Sequence, residues 1–310
     1  MKNINIAVLG ECMVELQKKN GQLQQTFGGD TLNTALYLSR LTRAHDVNVS
    51  YVTALGHDEF SGEMLSTWQK EGIDTSNVLQ IKDKNPGIYY IETDETGERY
   101  FHYWRNEAAA KFIFEQPESS ALVEKLLGYD ALYLSGITLA ILTTVGREKL
   151  IETLKQFKER GGKVFFDNNY RPKLWSDEQE AIHWYEQVLS KTDIAMLTFD
   201  DEQALYGDKE LDECISRTSG LGVKEIIIKR GAEACLVVEG DKREFVAPKP
   251  VSNVVDTTAA GDSFSAGFLA KRLTGGNAQE SAFSGHCMAG QVIQHKGAII
   301  PLSEMPELSL

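Results

Sequence analysis

The chain has 310 residues, of which 42% are hydrophobic and 25% charged, with 45 acidic against 32 basic side chains and a net charge of −13. That length can bury a large core without disulfides or metals, and that composition excludes a disordered, collagen-like or coiled-coil protein. The acidic balance disfavours nucleic acid and anionic membrane surfaces as partners, although one local site can still bind a small anion. Taken in chain order, Ile4–Leu9 is a short apolar run that soon meets Glu11, so the N-terminus reads as a first strand rather than a signal peptide. Glu11–Gln17 and Gln22–Thr26 then flank a turn at Asn20–Gly21. Phe27–Leu38 passes from Gly28–Gly29 into a helix, and Val49–Ala54 is a β-branched strand. Gly87–Arg105 holds two alternating, aromatic-rich runs around a turn at Asp94–Gly97, the pattern of a hairpin. A helix over Ala121–Leu127 leads to a strand at Ala131–Leu134. The helix Arg147–Arg160 presents Leu150, Ile151, Leu154 and Phe157 on one face and stops at Gly161–Gly162. Strands at Lys163–Phe166, Ile194–Leu197, Glu225–Lys229 and Ala234–Val238 follow, with helices at Glu178–Leu189 and Asp201–Tyr206 between them.

Strands alternating with helices predict an α/β fold with a mostly parallel sheet. The two hairpins, near residues 11–27 and 87–106, interrupt that rhythm. They read either as a small projecting sheet that covers a cleft or as an ordinary edge extension. No linker, repeat or low-complexity stretch divides the chain, so residues 1–310 are expected to form one domain. No apolar run reaches the length of a membrane span, and Cys12, Cys214, Cys235 and Cys287 form no CxxC pair. Reduced thiols in a soluble cytoplasmic protein are the expectation.

Two segments carry chemistry. In Val254–Phe268, VVDTTAAGDSFSAGF, an apolar strand gives way to small residues and then to a helix. The exposed amides and dipole of such a helix start form an anion site. Asp262 is out of place there as a mere anion neighbour, since it repels a phosphate bound to the same amides. It makes sense either as a base that takes a proton from an attacking hydroxyl or as a simple helix cap, and the segment alone leaves both open. In FGGDTLNTALYL, Gly28–Gly29 permit close approach of a ligand, and Asp30 and Asn33 can offer polar groups to a sugar. P-loop, dinucleotide-binding, zinc-protease and serine-hydrolase motifs are absent from the sequence.

Together, Gly28-Gly29-Asp30-Thr31-Leu32-Asn33 and Asp256-Thr257-Thr258-Ala259-Ala260-Gly261-Asp262 resemble the paired signatures of the ribokinase-like (PfkB) carbohydrate kinases. The resemblance covers essentially the whole chain. It implies a three-layer α/β/α sandwich with a mostly parallel central sheet and a small projecting β-sheet lid. It also implies ATP with Mg2+ as phosphoryl donor, a sugar hydroxyl as acceptor, Asp262 as catalytic base, and the backbone of Ala259, Ala260 and Gly261 as anion hole. PGIYYIETDETGER, YWRNEAAAKF, YLSGITLAIL and FDNNYRPKLW further resemble the branch of the family that acts on 2-keto-3-deoxygluconate. That resemblance implies substrate contacts at Gly29, Asp30, Asn33, Tyr89, Tyr103, Arg105 and Arg171, with transfer to the 6-hydroxyl in sugar-acid breakdown of the Entner–Doudoroff type. It places ATP contacts at Asn169, Arg171, Lys229, Gly231, Ala234, Ala259, Gly261 and His286. Fructokinases are the competing reading within the family, and a non-catalytic sugar-acid-binding regulator is the competing reading outside it.

The residue chemistry agrees with an acidic sugar, because an Arg fork suits a carboxylate and a Tyr offers a flat wall with a hydroxyl handle. The chain departs from the family where an Asn-x-x-Glu segment usually supports magnesium: Thr198 and Asp201 stand there instead. Asp201 is therefore the expected indirect Mg2+ residue, unless Asp200 and Asp201 only start a helix. By resemblance, Asp256 belongs to a K+ site, and relatives assemble as homo-oligomers through lid edges. Since ATP and a sugar acid are both anions, the acidic chain is expected to hold a locally positive cleft, with Arg105 and Arg171 in a common pocket.

Overall fold

The structure is a computed structural model and describes residues 3–19, 21–94 and 99–310. Asn20 of the first expected turn and residues 95–98 of the second lie outside the described residues. The chain runs β1 (Ile4–Leu9), β2 (Met13–Lys19), β3 (Gln22–Gly28), α1 (Asp30–Thr42), β4 (Val47–Leu55), α2 (Glu59–Lys70) and β5 (Val78–Gln80). It continues through β6 (Ile88–Thr93), β7 (Arg99–Trp104), α3 (Ser119–Leu126), β8 (Ala131–Ser135), α4 (Gly136–Ile141) and α5 (Thr144–Glu159). Then come β9 (Lys163–Asp167), α6 (Glu178–Leu189), β10 (Ile194–Thr198), α7 (Phe199–Tyr206), α8 (Leu211–Gly220) and β11 (Glu225–Lys229). The chain closes with β12 (Cys235–Glu239), β13 (Lys242–Val246), α9 (Ala260–Leu273) and α10 (Ala278–Val292).

The large sheet has the order β13-β12-β11-β10-β9-β8-β1-β4-β5. Its strands from β11 to β5 pair in parallel, while β12 and β13 add an antiparallel edge. Buried parallel strands read as apolar runs because both faces are covered. In β8, Leu132 and Leu134 enter one core with Leu150, Phe157 and Tyr185, while Ala131 and Tyr133 enter the other with Trp68, Phe268 and Met288. Helices α3 to α8 thus cover one face, and α1, α2, α9 and α10 the other. This is the expected three-layer sandwich.

The second sheet has the order β3-β2-β6-β7. Each hairpin is antiparallel, but β2 and β6 join the two in parallel, with Glu15 opposite Tyr89. The strand expected from Glu11 begins at Met13, the strand expected at Ala234–Val238 is the antiparallel β12, and the apolar strand expected before Asp256 does not form, the chain there running as a loop from β13 to α9. Helices α2, α4, α8 and α10 and the edge strands β5 and β13 add to the expected elements.

The chain leaves β1 toward β4 and β5, then returns to β8 on the other side of β1. Ligands of open α/β sheets bind outside the carboxyl ends of the strands near such a reversal.

Candidate active site

A cavity of about 570 Å³ lies at those carboxyl ends, within the range that takes a small metabolite. Asp167 at the end of β9, Thr198 at the end of β10 and Lys229 at the end of β11 line its floor, with Asn169, Arg171 and Asp201 in the loops that follow. Met13, Glu15, Tyr89, Phe101 and Tyr103 of the small sheet form the opposite wall. The small sheet is therefore a lid over the cavity rather than a remote edge extension.

Asp262 occupies the third position of α9, and the N-cap is Ala259, a non-glycine residue in the left-handed region (φ 60°). Asp262 is thus not a helix cap. Its Oδ2 accepts a hydrogen bond from Asn33 Nδ2 (2.8 Å), and its main-chain oxygen accepts one from Thr34 Oγ1 (3.2 Å). Burial first, then the charge of Asp30, pushes its carboxyl up from the ordinary 3.8 to about 7, against the opposing pull of Asn33 and Lys229. Asn33 Oδ1 is buried without a hydrogen-bond partner among the described residues, so it has an acceptor to offer an incoming hydroxyl.

The Ala260 amide turns back to the Thr257 carbonyl (3.1 Å). The first-turn amides of Gly261 and Asp262 have no carbonyl four residues back within the helix, and both residues line the cavity. Lys229 strengthens this anion site, since its Nζ lies 3.8 Å from where a Cβ on Gly261 would stand. Asp167 holds that ammonium (2.7 Å) and also accepts from Ser265 Oγ (2.7 Å), so the Lys229 charge is buried but paired.

Gly28 and Gly29 are close-approach positions. A Cβ on Gly28 would meet the Tyr89 hydroxyl at 2.3 Å, and one on Gly29 would meet the Glu11 main-chain oxygen at 2.2 Å. Tyr89 donates a hydrogen bond to Glu15, which also accepts from Thr26 Oγ1 (3.0 Å). The rings of Tyr89 and Tyr103 lie 5.8 Å apart, forming a tilted aromatic wall. Asp30 begins α1 and accepts from Asn169 Nδ2 (2.7 Å); burial pushes its carboxyl upward. Asn169 has φ 29°, a strained setting for a non-glycine residue, and its amide is held by Asn168 Oδ1 (2.8 Å).

Asn168 was not legible as a site residue. It is fully buried, bonds the Thr198 amide (2.9 Å) and carbonyl (3.0 Å), and reaches Glu202 Oε1 (2.9 Å), which splices the ends of β9 and β10. Glu15 and Asp167 are further cavity residues; Asp167 lies within FDNNYRPKLW, whereas Glu15 stands in no motif.

The structure gathers most of the expected residues. Gly29, Asp30, Asn33, Tyr89, Tyr103, Asn169, Arg171, Asp201, Lys229, Gly231, Ala259, Ala260, Gly261, Asp262 and His286 all line the one cavity. His286 is pinned by the Val246 carbonyl (3.0 Å from Nε2) and packs edge-on against Phe264, and burial lowers its pKa. Three expectations need correction. Ala234 is not among the lining residues; it precedes β12 and its carbonyl accepts from Arg230 (3.4 Å). Arg105 is also not in the lining, because Glu11 holds its guanidinium in a buried ion pair behind the aromatic wall, whereas Arg171 stays half exposed at the cavity. The cleft is not positive in its side chains either, since Glu15, Asp30, Asp167, Asp201 and Asp262 face only Arg171, Lys229 and Arg230. Positive potential there comes from the helix amides and from that small set of bases.

Asp201 accepts the Tyr170 amide (3.1 Å) and stands 3.7 Å from Arg171, in the first turn of α7, so it both starts that helix and faces the cavity. Asp256 lies outside the lining; it accepts from the Thr258 amide (3.0 Å) and hydroxyl (2.6 Å) and from the Gly297 amide (3.0 Å).

Comparison with known proteins agrees with this geometry. The chain is 53% identical over 309 residues to the 2-dehydro-3-deoxygluconokinase of Dickeya dadantii, covering 99% of this chain and 100% of that one. It is 53% identical over 304 residues to the enzyme of the same name from Escherichia coli K12, covering 97% and 98%. Its fold matches that of a putative ribokinase II from E. coli, solved in complex with ATP and Mg2+, with a TM-score of 0.82 at 21% identity over 98% and 96% of the two chains. Residues 3–305 match the pfkB family carbohydrate kinases, and the chain belongs to that family.

Proposed function

We propose that the protein phosphorylates 2-keto-3-deoxygluconate on its 6-hydroxyl with ATP, giving 2-keto-3-deoxy-6-phosphogluconate and ADP. The observation that carries this reading is Asp262: a buried carboxylate held by Asn33, with a pKa near neutrality, beside the open amides of a helix start. The full-length likeness to two 2-dehydro-3-deoxygluconokinases supplies the substrate.

The sugar acid lies between the aromatic lid and Gly29, with Asp30 and Asn33 on its hydroxyls and Arg171 serving its carboxylate end. Asp262 accepts the 6-hydroxyl proton as that oxygen attacks the γ-phosphorus and the bond to the β-phosphate oxygen breaks. The Gly261 and Asp262 amides and Lys229 stabilise charge on the transferring group, so most of the acceleration comes from positioning and electrostatics. ATP runs along Asn169, Gly231 and His286, with its phosphates toward α9.

The donors fit Mg2+, because the acidic groups of the cavity are all oxygen ligands and the one lining histidine is already tied to Val246. Asp201 would hold the ion through water, and bound Mg2+ would neutralise charge on the phosphate oxygens. Asp256 with the Gly297 loop forms the K+ site of this reading, and an activity rise on replacing Na+ by K+ is its test.

Residues 1–310 act as one catalytic domain under the lid. The protein works in the cytoplasm, a reading supported by four free cysteines and by the lack, among described residues, of a helix long and apolar enough to cross a membrane. It assembles through the β7 edge of the lid, where Tyr100, Phe101, Tyr103 and Trp104 are exposed. The deciding experiment is an ADP-release assay with 2-keto-3-deoxygluconate and fructose. Turnover of the sugar acid far above that of fructose is expected; preference for fructose, or binding without ADP formation, overturns the reading.

A further inference from the structure

Tyr37 plays no part in the proposed mechanism, although it stands one turn after Asn33 on α1. It is fully buried. Its hydroxyl donates to the Ala298 carbonyl (2.6 Å) and accepts from the Ile300 amide (3.0 Å). Burial pushes its pKa up to about 12, so the group stays neutral and able to do both. A phenylalanine would fill the same apolar space. The hydroxyl is instead spent on two main-chain groups of one loop, 261 and 263 residues further along the chain.

That loop is a wall of the cavity, since Ala298 lines it. Just before Ala298, the Gly297 amide donates to Asp256 Oδ2 (3.0 Å). Just after it, Arg40 Nη1 donates to the Ile300 carbonyl (2.7 Å), while the other edge of that guanidinium is paired with Glu71 (2.8 and 2.6 Å). Residues 297–300 are thus clamped between α1 and Asp256. The amides of Val255 and Asp256 are in turn held by the Ile293 carbonyl at the end of α10 (2.8 and 3.2 Å). Asp256 leads directly into Thr257, Thr258 and Ala259, which all line the cavity, as do His286 and Ala289 of α10. Ala298 therefore belongs to the wall that the anion-hole loop and α10 share, the end to which the proposed function assigns ATP.

We propose that Tyr37 is a positioning residue for the nucleotide: its hydroxyl fixes the Ala298 segment against the anion-hole loop, so the helix that carries the sugar-side Asn33 also sets the wall against which ATP binds. The inference rests on the proposed function for the place of ATP. A wall ordered in advance needs no ordering when the ligand arrives, so loss of the hydroxyl weakens ATP binding. Sugar binding is spared, because Asp30 and Asn33 are held by Asn169 and Asp262 through bonds that bypass the hydroxyl.

The test compares KM for ATP and for 2-keto-3-deoxygluconate in wild type, Tyr37→Phe and a control on the same helix, Ser39→Ala. Ser39 Oγ donates to the Glu71 main-chain oxygen (2.8 Å), away from the cavity lining. Tyr37→Phe is expected to raise KM for ATP about three- to tenfold, the scale of one or two neutral hydrogen bonds, with KM for the sugar acid within about twofold. Ser39→Ala should lower Tm and leave both KM values unchanged. A second measurement uses the wild type alone, through hydrogen exchange of the Ile300 amide. A non-hydrolysable ATP analogue with Mg2+ should slow that exchange, and the sugar acid alone should not. This measurement decides the matter if Tyr37→Phe does not fold. Unchanged KM for ATP in folded Tyr37→Phe, an equal rise for both substrates, a like rise in Ser39→Ala, or exchange indifferent to the nucleotide overturns the inference. A wild type that does not phosphorylate the sugar acid overturns the proposed function instead, and the exchange measurement still judges Tyr37.

Discussion

Asp262 combines two demands that pull in opposite directions. A base must be ionised to accept a proton, yet burial and the neighbouring Asp30 favour its protonated form. With its carboxyl raised to about 7, activity is expected to fall as pH drops through neutrality, seen as an acid limb in the kcat/KM profile. Asn33 donates to the carboxylate and favours its charged form, so Asn33→Ala should move that limb to higher pH; a limb that stays or moves down contradicts the geometry. Asp262→Asn should lower kcat by about 10²–10⁴ with the fold intact. The same variant is expected to be more stable than wild type. A carboxyl whose folded pKa lies above its unfolded value binds more protons when folded, so stability falls as pH rises from about 4 to about 7. The gain in Tm from Asp262→Asn should therefore be larger at pH 8 than at pH 5.

At the scale of elements, the site is made where strand ends meet helix starts. Asn168 fixes the end of β10 to that of β9 and so sets the strained Asn169 beside Asp30. Removing it leaves Thr198 and Glu202 with unpaired buried groups, so Asn168→Ala should cost roughly 2–4 kcal/mol in urea denaturation and also depress kcat/KM. An effect on activity with no loss of stability would show that the splice is not structural. This scale also separates what the sequence made legible from what it did not. Buried strands such as Glu225–Lys229 and Ile194–Leu197 announce themselves as apolar runs, and α9 follows a distinctive small-residue turn. Helix α10 does not, because its close approach to α9 runs through small residues, Ser284 and Gly285 against Gly267 and Phe264, rather than through an apolar stripe alone. Asp262 and Asn33 stand in motifs that can be read locally. Asn168 lies within FDNNYRPKLW, but its splicing of two strand ends does not show there, and Glu11 stands in no motif; their contacts with Glu202 and Arg105, 34 and 94 residues away, appear only in the fold.

For the molecule as a whole, the net charge of −13 is carried into the cavity rather than reversed there. Anion binding thus depends on directed amides and paired bases, not on a general field. Among the described residues β7 is an outer strand of the lid sheet, and its Trp104, 62% exposed, shares that strand with the exposed Tyr100 and Phe101. Such an edge is a template for pairing with a second copy. Trp104→Glu is expected to shift sedimentation toward the monomer; an unchanged assembly would place the contact elsewhere.

The bond from Asn33 to Asp262 spans 229 residues. At roughly 5–20 residues added per second during synthesis, about ten to fifty seconds separate the emergence of the two partners. Until α9 follows, Asn33 of α1 lacks its Asp262 partner, so a nascent or truncated chain presents the lid strands and α1 without the part of the cavity wall that α9 builds. Contacts of such long range also slow folding, which leaves the aromatic lid edge exposed to other chains for the longest part of that interval.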